Sequence, residues 1–408
     1  MRLTKIFYYS SCALALFPIL KLNHFSILMI IWFAVALVNA FKNKTFSLLK
    51  THKFTFLVLA FLCLMYVFFI PFTGNFKELG KSITKSLPFL IFPLGFILNK
   101  RVVTTKMHQT FACVYIASVA VLNGLGWLNV FNFGWNNAWQ QNDFYHPVFR
   151  NLFFNATSHH LPYLGLLTVF AALLLTYRLF HNQKLRVLNL VIISFLLFST
   201  YIYSARMALA CYLMGLTYML YKSVKNQQLK WILLFAVPIL SLTLLWFSPI
   251  KERYVKLVEK DLVLPHENQQ PHEVNYRYGI WYCATQLVKN HYITGVGADK
   301  VQKELNECYN GFSYKSYEDF SKVTYNTHNQ YLDQLLKFGV FGLILFLFVF
   351  LYFFNNSSVI YQTFILVILC SFLTENLLDR QIGVVFISLF NTIFVILKLN
   401  KVEKSISS

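Results

Sequence analysis

The sequence predicts an all-α polytopic membrane protein of about 12 transmembrane helices, with one large periplasmic loop containing short helices. Three observations lead there. Hydrophobic residues make up 57% of the 408 and charged residues only 13%, roughly half the charge fraction of a soluble domain. The apolar residues come in blocks of about 15–22, the length that a helix needs to cross a bilayer. Lys and Arg then recur in alternate loops: Lys42, Lys44, Lys50 and Lys53; Lys100, Arg101 and Lys106; Arg178, Lys184 and Arg186; Lys222, Lys225 and Lys230. That alternation is the bias of cytoplasmic loops, and it accounts for the net charge of +20 without a nucleic-acid partner.

Taken in order, the apolar blocks centre on 7–22, 25–41, 55–71, 86–99, 109–130, 160–178, 187–204, 207–221, 231–248, 333–354, 357–374 and 382–398. The first lies too near the start, with too weak a cleavage signal, to be a removable leader, and is read as a span. With Met1–Lys5 inside, every basic loop and the tail fall on the cytoplasmic side. Two stretches lie outside, 131–159 and the larger 249–330. The chain thus divides into 1–248 with nine helices, a loop domain at 249–330, and 331–408 with three helices and a tail.

Within the outer loop, Tyr254, Leu257, Val258 and Leu262 share helical spacing, as in a helix lying on the membrane surface. Further on, Ile280, Trp281, Ala284, Leu287 and Val288 form one stripe, and Arg277 starts the same face. A cation on an inward stripe calls for an anionic partner. Cys283 and Cys308 share this loop and would pair in an oxidising compartment. The other five cysteines lie in spans as small buried hydrophobes.

Standard cofactor and metal signals are missing. Gly295 and Gly297 make half a dinucleotide fingerprint with no βαβ unit around it. His266–Glu267 and His272–Glu273 each follow a proline, Pro265 and Pro271, which favours solvated loop over a metal pair. No cofactor and no metal are expected. Charges are nearly absent from span centres, which disfavours a proton-coupled transporter. They gather at outer span ends: Arg206, Arg277, His328, Glu375, Asp379 and Arg380. Arg206, in the tight Ser204–Ala205–Arg206 turn, either snorkels to lipid phosphate or offers a guanidinium fork to a phosphorylated lipid. His159 and His160 open the sixth span, as interfacial packing or as support for a site. A helix through 326–342 would return Gly339 to the direction of His328, about 16 Å deeper, with Gly342 beside it. Those glycines admit either a neighbouring helix or a lipid chain.

Together these residues resemble the bacterial O-antigen ligase family. The stretch from His328 to Gly342 fits its pattern of His, then Asn, Ser or Gln, nine residues, Gly, two residues, and Gly, Thr or Tyr. Ser204–Ala205–Arg206 resembles the family's Ser-x-Arg turn, though Ala205 stands where many members have Ser. Arg277, Trp281 and the Gly295–Gly297 turn resemble its Arg-x(3)-Trp helix and Gly-x-Gly, and residues 374–383, with Arg380, its closing motif. The likeness covers roughly 155–395 and leaves the first 150 residues unmatched. It implies a metal-independent, inverting glycosyltransferase in the bacterial inner membrane, with both termini cytoplasmic and its site facing the periplasm. The donor would be a glycan on undecaprenyl diphosphate, and the acceptor a sugar hydroxyl on lipid A–core, another glycan or a protein. His328 would serve as base, with Arg206 and Arg277 stabilising the departing diphosphate. Asn329, Gly339, Gly342, Trp281, Arg380 and His160 would bind substrate. A polymerase of the same superfamily and a non-enzymatic polysaccharide exporter or flippase are the alternatives.

Overall fold

A computed structural model describes residues 2–142, 147–181, 185–231, 264–265, 275–312, 324–355 and 357–407. The described chain is helical, without strands. In order it forms α1 (Arg2–Ala13), α2 (Leu22–Lys42), α3 (Ser47–Thr51), α4 (Lys53–Phe68), α5 (Phe76–Ser86), α6 (Pro88–Leu98), α7 (Thr105–Phe133), α8 (Trp135–Gln141), α9 (Val148–Thr157), α10 (Leu161–His181), α11 (Arg186–Ile202) and α12 (Arg206–Ser223). Then follow α13 (Tyr276–His291), α14 (Val301–Tyr309), α15 (Gln330–Leu351), α16 (Val359–Ser371) and α17 (Gln381–Ser407).

Seven helical segments among the described residues are long and apolar enough to cross a membrane, and α11 and α16 are shorter apolar helices. That is fewer than the expected twelve. The first apolar block stops as a helix at Ala13 and turns through Leu14–Leu16, so its 12 residues span ~18 Å, short of a bilayer core. The block at 207–221 is α12, which opens on Arg206 and ends near Lys222. The blocks at 231–248 and 254–262, and the pairs His266–Glu267 and His272–Glu273, lie outside the described residues.

Burial sorts the helices. The apolar window of α17 is 83% buried and that of α10 78%, whereas α2 buries 33%. Ile27, Ile30 and Ile31 on α2 and Phe341, Ile344 and Phe348 on α15 are exposed, a surface that suits lipid rather than water. In the centre Tyr115, Phe170, Phe364, Phe386 and Phe390 pack edge to face. The two ends of the bundle differ. At one end Asn39 meets Asn99 at 2.7 Å, buried Lys100 pairs with Glu403, and Asn400 donates to the carbonyls of Lys100 and Val103. The start of α1, where Thr4 bonds Asn39, and the tail of α17 therefore share this basic end.

A small second core caps the other end: Ile280, Cys283, Ala284, Val301, Leu305, Tyr309 and Phe312 close on Leu336 of α15. Cys283 and Cys308 are joined as a disulfide, with Cα atoms 5.8 Å apart. Asp299 latches this cap to the turn before α5, accepting from Thr73 Oγ1 at 2.9 Å and from the amides of Gly74 and Asn75 at 2.9 and 3.0 Å. Burial pushes the carboxyl of Asp299 up, but those donors outweigh it and hold it below the usual range.

Candidate active site

The turn that carries His328 is fixed from three sides. Asn329 is the N-cap of α15: its Oδ1 accepts from the amides of Tyr331 and Leu332 at 3.0 and 3.1 Å, and its Nδ2 donates to the Leu373 carbonyl at 3.2 Å. An asparagine here satisfies helix-end donors. That use, more than substrate contact, accounts for its side chain. Asn376 Nδ2 donates to Thr327 Oγ1 at 3.0 Å. Trp281 Nε1 donates to the Thr327 carbonyl at 3.0 Å, tying the outer helix α13 to the residue before His328. His328 itself has φ 46°, a left-handed conformation uncommon outside glycine that marks a constrained position. It precedes α15 rather than riding on it, so the expected alignment of His328 with Gly339 along one helix does not hold.

What faces His328 is Glu375. Its side chain is 12% exposed, and Oε2 lies 3.9 Å from His328 Nδ1 while Oε1 lies 3.8 Å from Arg277 Nη2. The sequence demanded an anion for Arg277, and this is it, although Arg277 is half exposed rather than inward. His328 Nδ1 is sealed from solvent with no hydrogen-bond partner among the described residues. Its distance from Glu375 exceeds hydrogen-bond reach but leaves the carboxylate as its charged neighbour. His160 stands within the same electrostatic neighbourhood. Burial holds its imidazole below the usual range, Glu375 opposes that, and Arg380, Arg150 and His328 reinforce it.

Arg206 opens α12 at this end, partly exposed. The turn before it is held by Arg150, whose Nη1 donates to the carbonyls of Tyr203 and Ser204 at 3.2 and 3.3 Å. One turn into α12, Cys211 Sγ lies 3.3 Å from Ser371 Oγ, on the helix that leads to Glu375.

Beside this turn is a buried ionic cluster. Lys337 Nζ donates to Asp333 Oδ2 at 2.6 Å and Asp379 Oδ1 at 3.0 Å, and Asn326 and Asn376 both donate to Asp379 Oδ2 at 3.1 Å. The Gln330 side chain donates to Asp333 and accepts from the Leu378 amide. The segment 326–337 is thereby stitched to 372–380. Asp333, Lys337, Asp379, Lys85 and Arg380 line a polar cavity of about 950 Å³ against α14 and the Gly74–Asn75 turn. Arg380 faces that cavity rather than His328. Sequence reading passed over Asp333 and Lys337. Their spacing of four within an apolar helix was the available signal, since ionisable groups there call for partners.

The two glycines of α15 are filled by protein. At Gly339 the helix breaks, with φ 68° and ψ −171°, a backbone region open to glycine alone. A Cβ there would overlap the Ile293 carbonyl. The turn at 292–296 supplies the bonds the break removes: the Val340 amide donates to the Tyr292 carbonyl at 2.9 Å and the Val296 amide to the Leu336 carbonyl at 2.7 Å. Backbone groups freed at membrane depth must find such partners. Gly295, φ 74°, packs against the same break, where a Cβ would lie 2.7 Å from the Leu336 carbonyl oxygen and 2.8 Å from the Gly339 amide nitrogen. Gly342 is occupied by Phe338 and Met65. The expected groove for a lipid chain is therefore not there, because backbone from the cap plugs it.

Residues 188–347 match the family model described as O-antigen ligase. Over that segment the chain is similar to the O-antigen ligase family. No curated protein matches the chain. The matched segment runs from α11 into α15 and contains Arg206, Arg277, Trp281, His328, Asn329 and both glycines. His160 and Glu375, which stand near its histidine, and Arg380, on the adjoining cavity, come from outside it. The fold brings these to the matched segment through α10 and the turn between α16 and α17.

Proposed function

We propose that the protein is a membrane glycosyltransferase of the O-antigen ligase and polymerase type, which moves a glycan from undecaprenyl diphosphate to a sugar hydroxyl. The observation that carries the reading is the convergence of His328 and Arg277 on one buried carboxylate, Glu375, at 3.9 and 3.8 Å. An imidazole with a carboxylate as its charged neighbour suits a general base. A half-exposed arginine beside it is suited to a phosphate oxygen.

In the reaction, the acceptor oxygen attacks the anomeric carbon as its proton passes to His328. The bond from that carbon to the phosphate oxygen breaks, and the diphosphate leaves with the electron pair. The leaving diphosphate then carries two or more negative charges, one of them newly developed as the bond breaks, and Arg277 and Arg206 are assigned to it. Attack opposite the leaving group inverts the anomeric centre. The polar cavity at Asp379 and Arg380 has room for sugar residues of donor or acceptor.

The disulfide of the cap and the gathering of both chain ends at the basic end support a site on the periplasmic side of an inner membrane. Ligase is favoured over polymerase, with lipid A–core or a similar glycan as acceptor. Deleting the gene tests this. Loss of long surface chains, with polymer building up on the lipid carrier, is the expected result. Chains stopped at a single repeat would assign the polymerase instead, and glycan retained inside would replace catalysis with transport.

A further inference from the structure

At the basic end of the bundle, away from Glu375, α7, α10, α16 and α17 enclose a second cavity of about 950 Å³. Arg178, His181, Lys398 and Lys401 line it, and no Asp or Glu is among its described lining residues. The cations are held at the rim by backbone. Arg178 Nη2 donates to the Gln109 carbonyl and also reaches Cys113 Sγ, both at 3.2 Å, and Lys398 Nζ donates to the carbonyls of Phe353 and Asn355 at 3.3 and 2.6 Å. Deeper in, the wall is Leu174, Ile360, Phe394 and Leu397, with the His108 ring beside Phe394. His108 Nε2 is sealed and has no hydrogen-bond partner among the described residues. Leu185 at the edge is 70% exposed and leads toward the apolar face of α11, where Val187 and Leu188 are exposed too.

Uncompensated cations at the mouth of an apolar-walled space attract an anion with a hydrocarbon tail. Free phosphate would leave the walls and the edge at Leu185 unfilled. We propose that this cavity seats a lipid with a phosphate head group from the adjoining leaflet. The phosphate sits among Arg178, Lys398 and Lys401, and the chains run along Leu174 and Leu397 past Leu185. The site is independent of the transfer reaction proposed above.

Cys113 reports on it directly. It lines the cavity and is the exposed one among the free cysteines. The full-length protein is reconstituted in nanodiscs of phosphatidylglycerol or of phosphatidylcholine, and the rate at which N-ethylmaleimide alkylates Cys113 is measured, with Cys113→Ser identifying the signal. Phosphatidylglycerol should slow alkylation roughly tenfold, the scale expected for two or more basic groups on an anionic head. Lys398→Gln with Lys401→Gln should abolish the protection in the same phosphatidylglycerol discs, which controls for surface potential. Lys401→Gln alone, at an exposed position, should weaken it. Protection should survive in His328→Ala. Equal rates in the two lipids, or protection that persists in the double variant, would overturn the proposal. So would glycerol phosphate protecting in phosphatidylcholine discs as well as phosphatidylglycerol does, since the ligand would then be a soluble phosphate.

Discussion

Glu375 is the residue on which the candidate site turns. It is buried between an imidazole and a guanidinium, both from segments far away in the sequence. Glu375→Gln keeps the shape and removes the charge. It is expected to lower transfer about tenfold to a hundredfold and to alter its pH profile, a readout that a merely structural role would leave unmoved. Arg277→Ala should weaken use of the donor, and Arg277→Lys should rescue only part of it because the planar fork is lost. If Arg277→Ala consumes donor normally, the diphosphate has been assigned to the wrong place. His159 and His160 give a second prediction. Burial first of all holds both below the usual imidazole value of 6.5. Below that pH the unfolded chain takes up protons that the folded chain does not, so stability is full above it and falls as pH drops further. Replacing both with Gln should flatten the fall in Tm between about pH 7 and pH 5. An unchanged slope would mean that these histidines do not couple to folding. The sequence made His328, Arg277 and Trp281 legible through spacing and polarity. It did not place Glu375 against His328 and Arg277, because a carboxylate in a loop acquires meaning only from the side chains that the fold sets beside it.

At the scale of elements, the break in α15 and the plug that fills it act as one unit. Gly339→Ala meets both a forbidden φ and the Ile293 carbonyl, and it should cost at least ~2 kcal/mol. Gly295→Ala should do the same, and the pair should be less than additive because they face one another. Thermal unfolding in detergent reads this out, and a wild-type Tm for Gly339→Ala would refute the plug. Helical periodicity left these glycines open to a neighbouring helix or a lipid chain. It cannot register that a turn from another segment enters the helix and completes its backbone bonds. The ionic cluster makes a similar point. Lys337→Met strands Asp333 and Asp379 in a buried site and should destabilise by ~3–5 kcal/mol.

For the molecule as a whole, apolar blocks and alternating basic loops were enough to give the helical membrane class and the gathering of basic loops at one end. Seven segments among the described residues have the length and apolarity of a crossing, and a block's length does not reveal that the helix in the first one ends at Ala13. The outer cap is held to the bundle by the Asp299 latch, by Trp281 on Thr327 and by the 292–296 turn against α15, while the Cys283–Cys308 disulfide staples its own two helices, α13 and α14, together. Replacing both cysteines with Ser opens a loop of 25 residues and should lower stability by ~3 kcal/mol, an effect that reductant reproduces on the wild type but not on the variant. Since the cap positions Trp281 and Arg277, transfer should fall with it. The central claim is that His328, backed by Glu375, takes the acceptor proton. The most direct measurement is the rate of glycan transfer by purified His328→Ala from a lipid diphosphate donor that the variant still binds. A fall of about a hundredfold or more is the result that this account predicts, and transfer at the wild-type rate would contradict it.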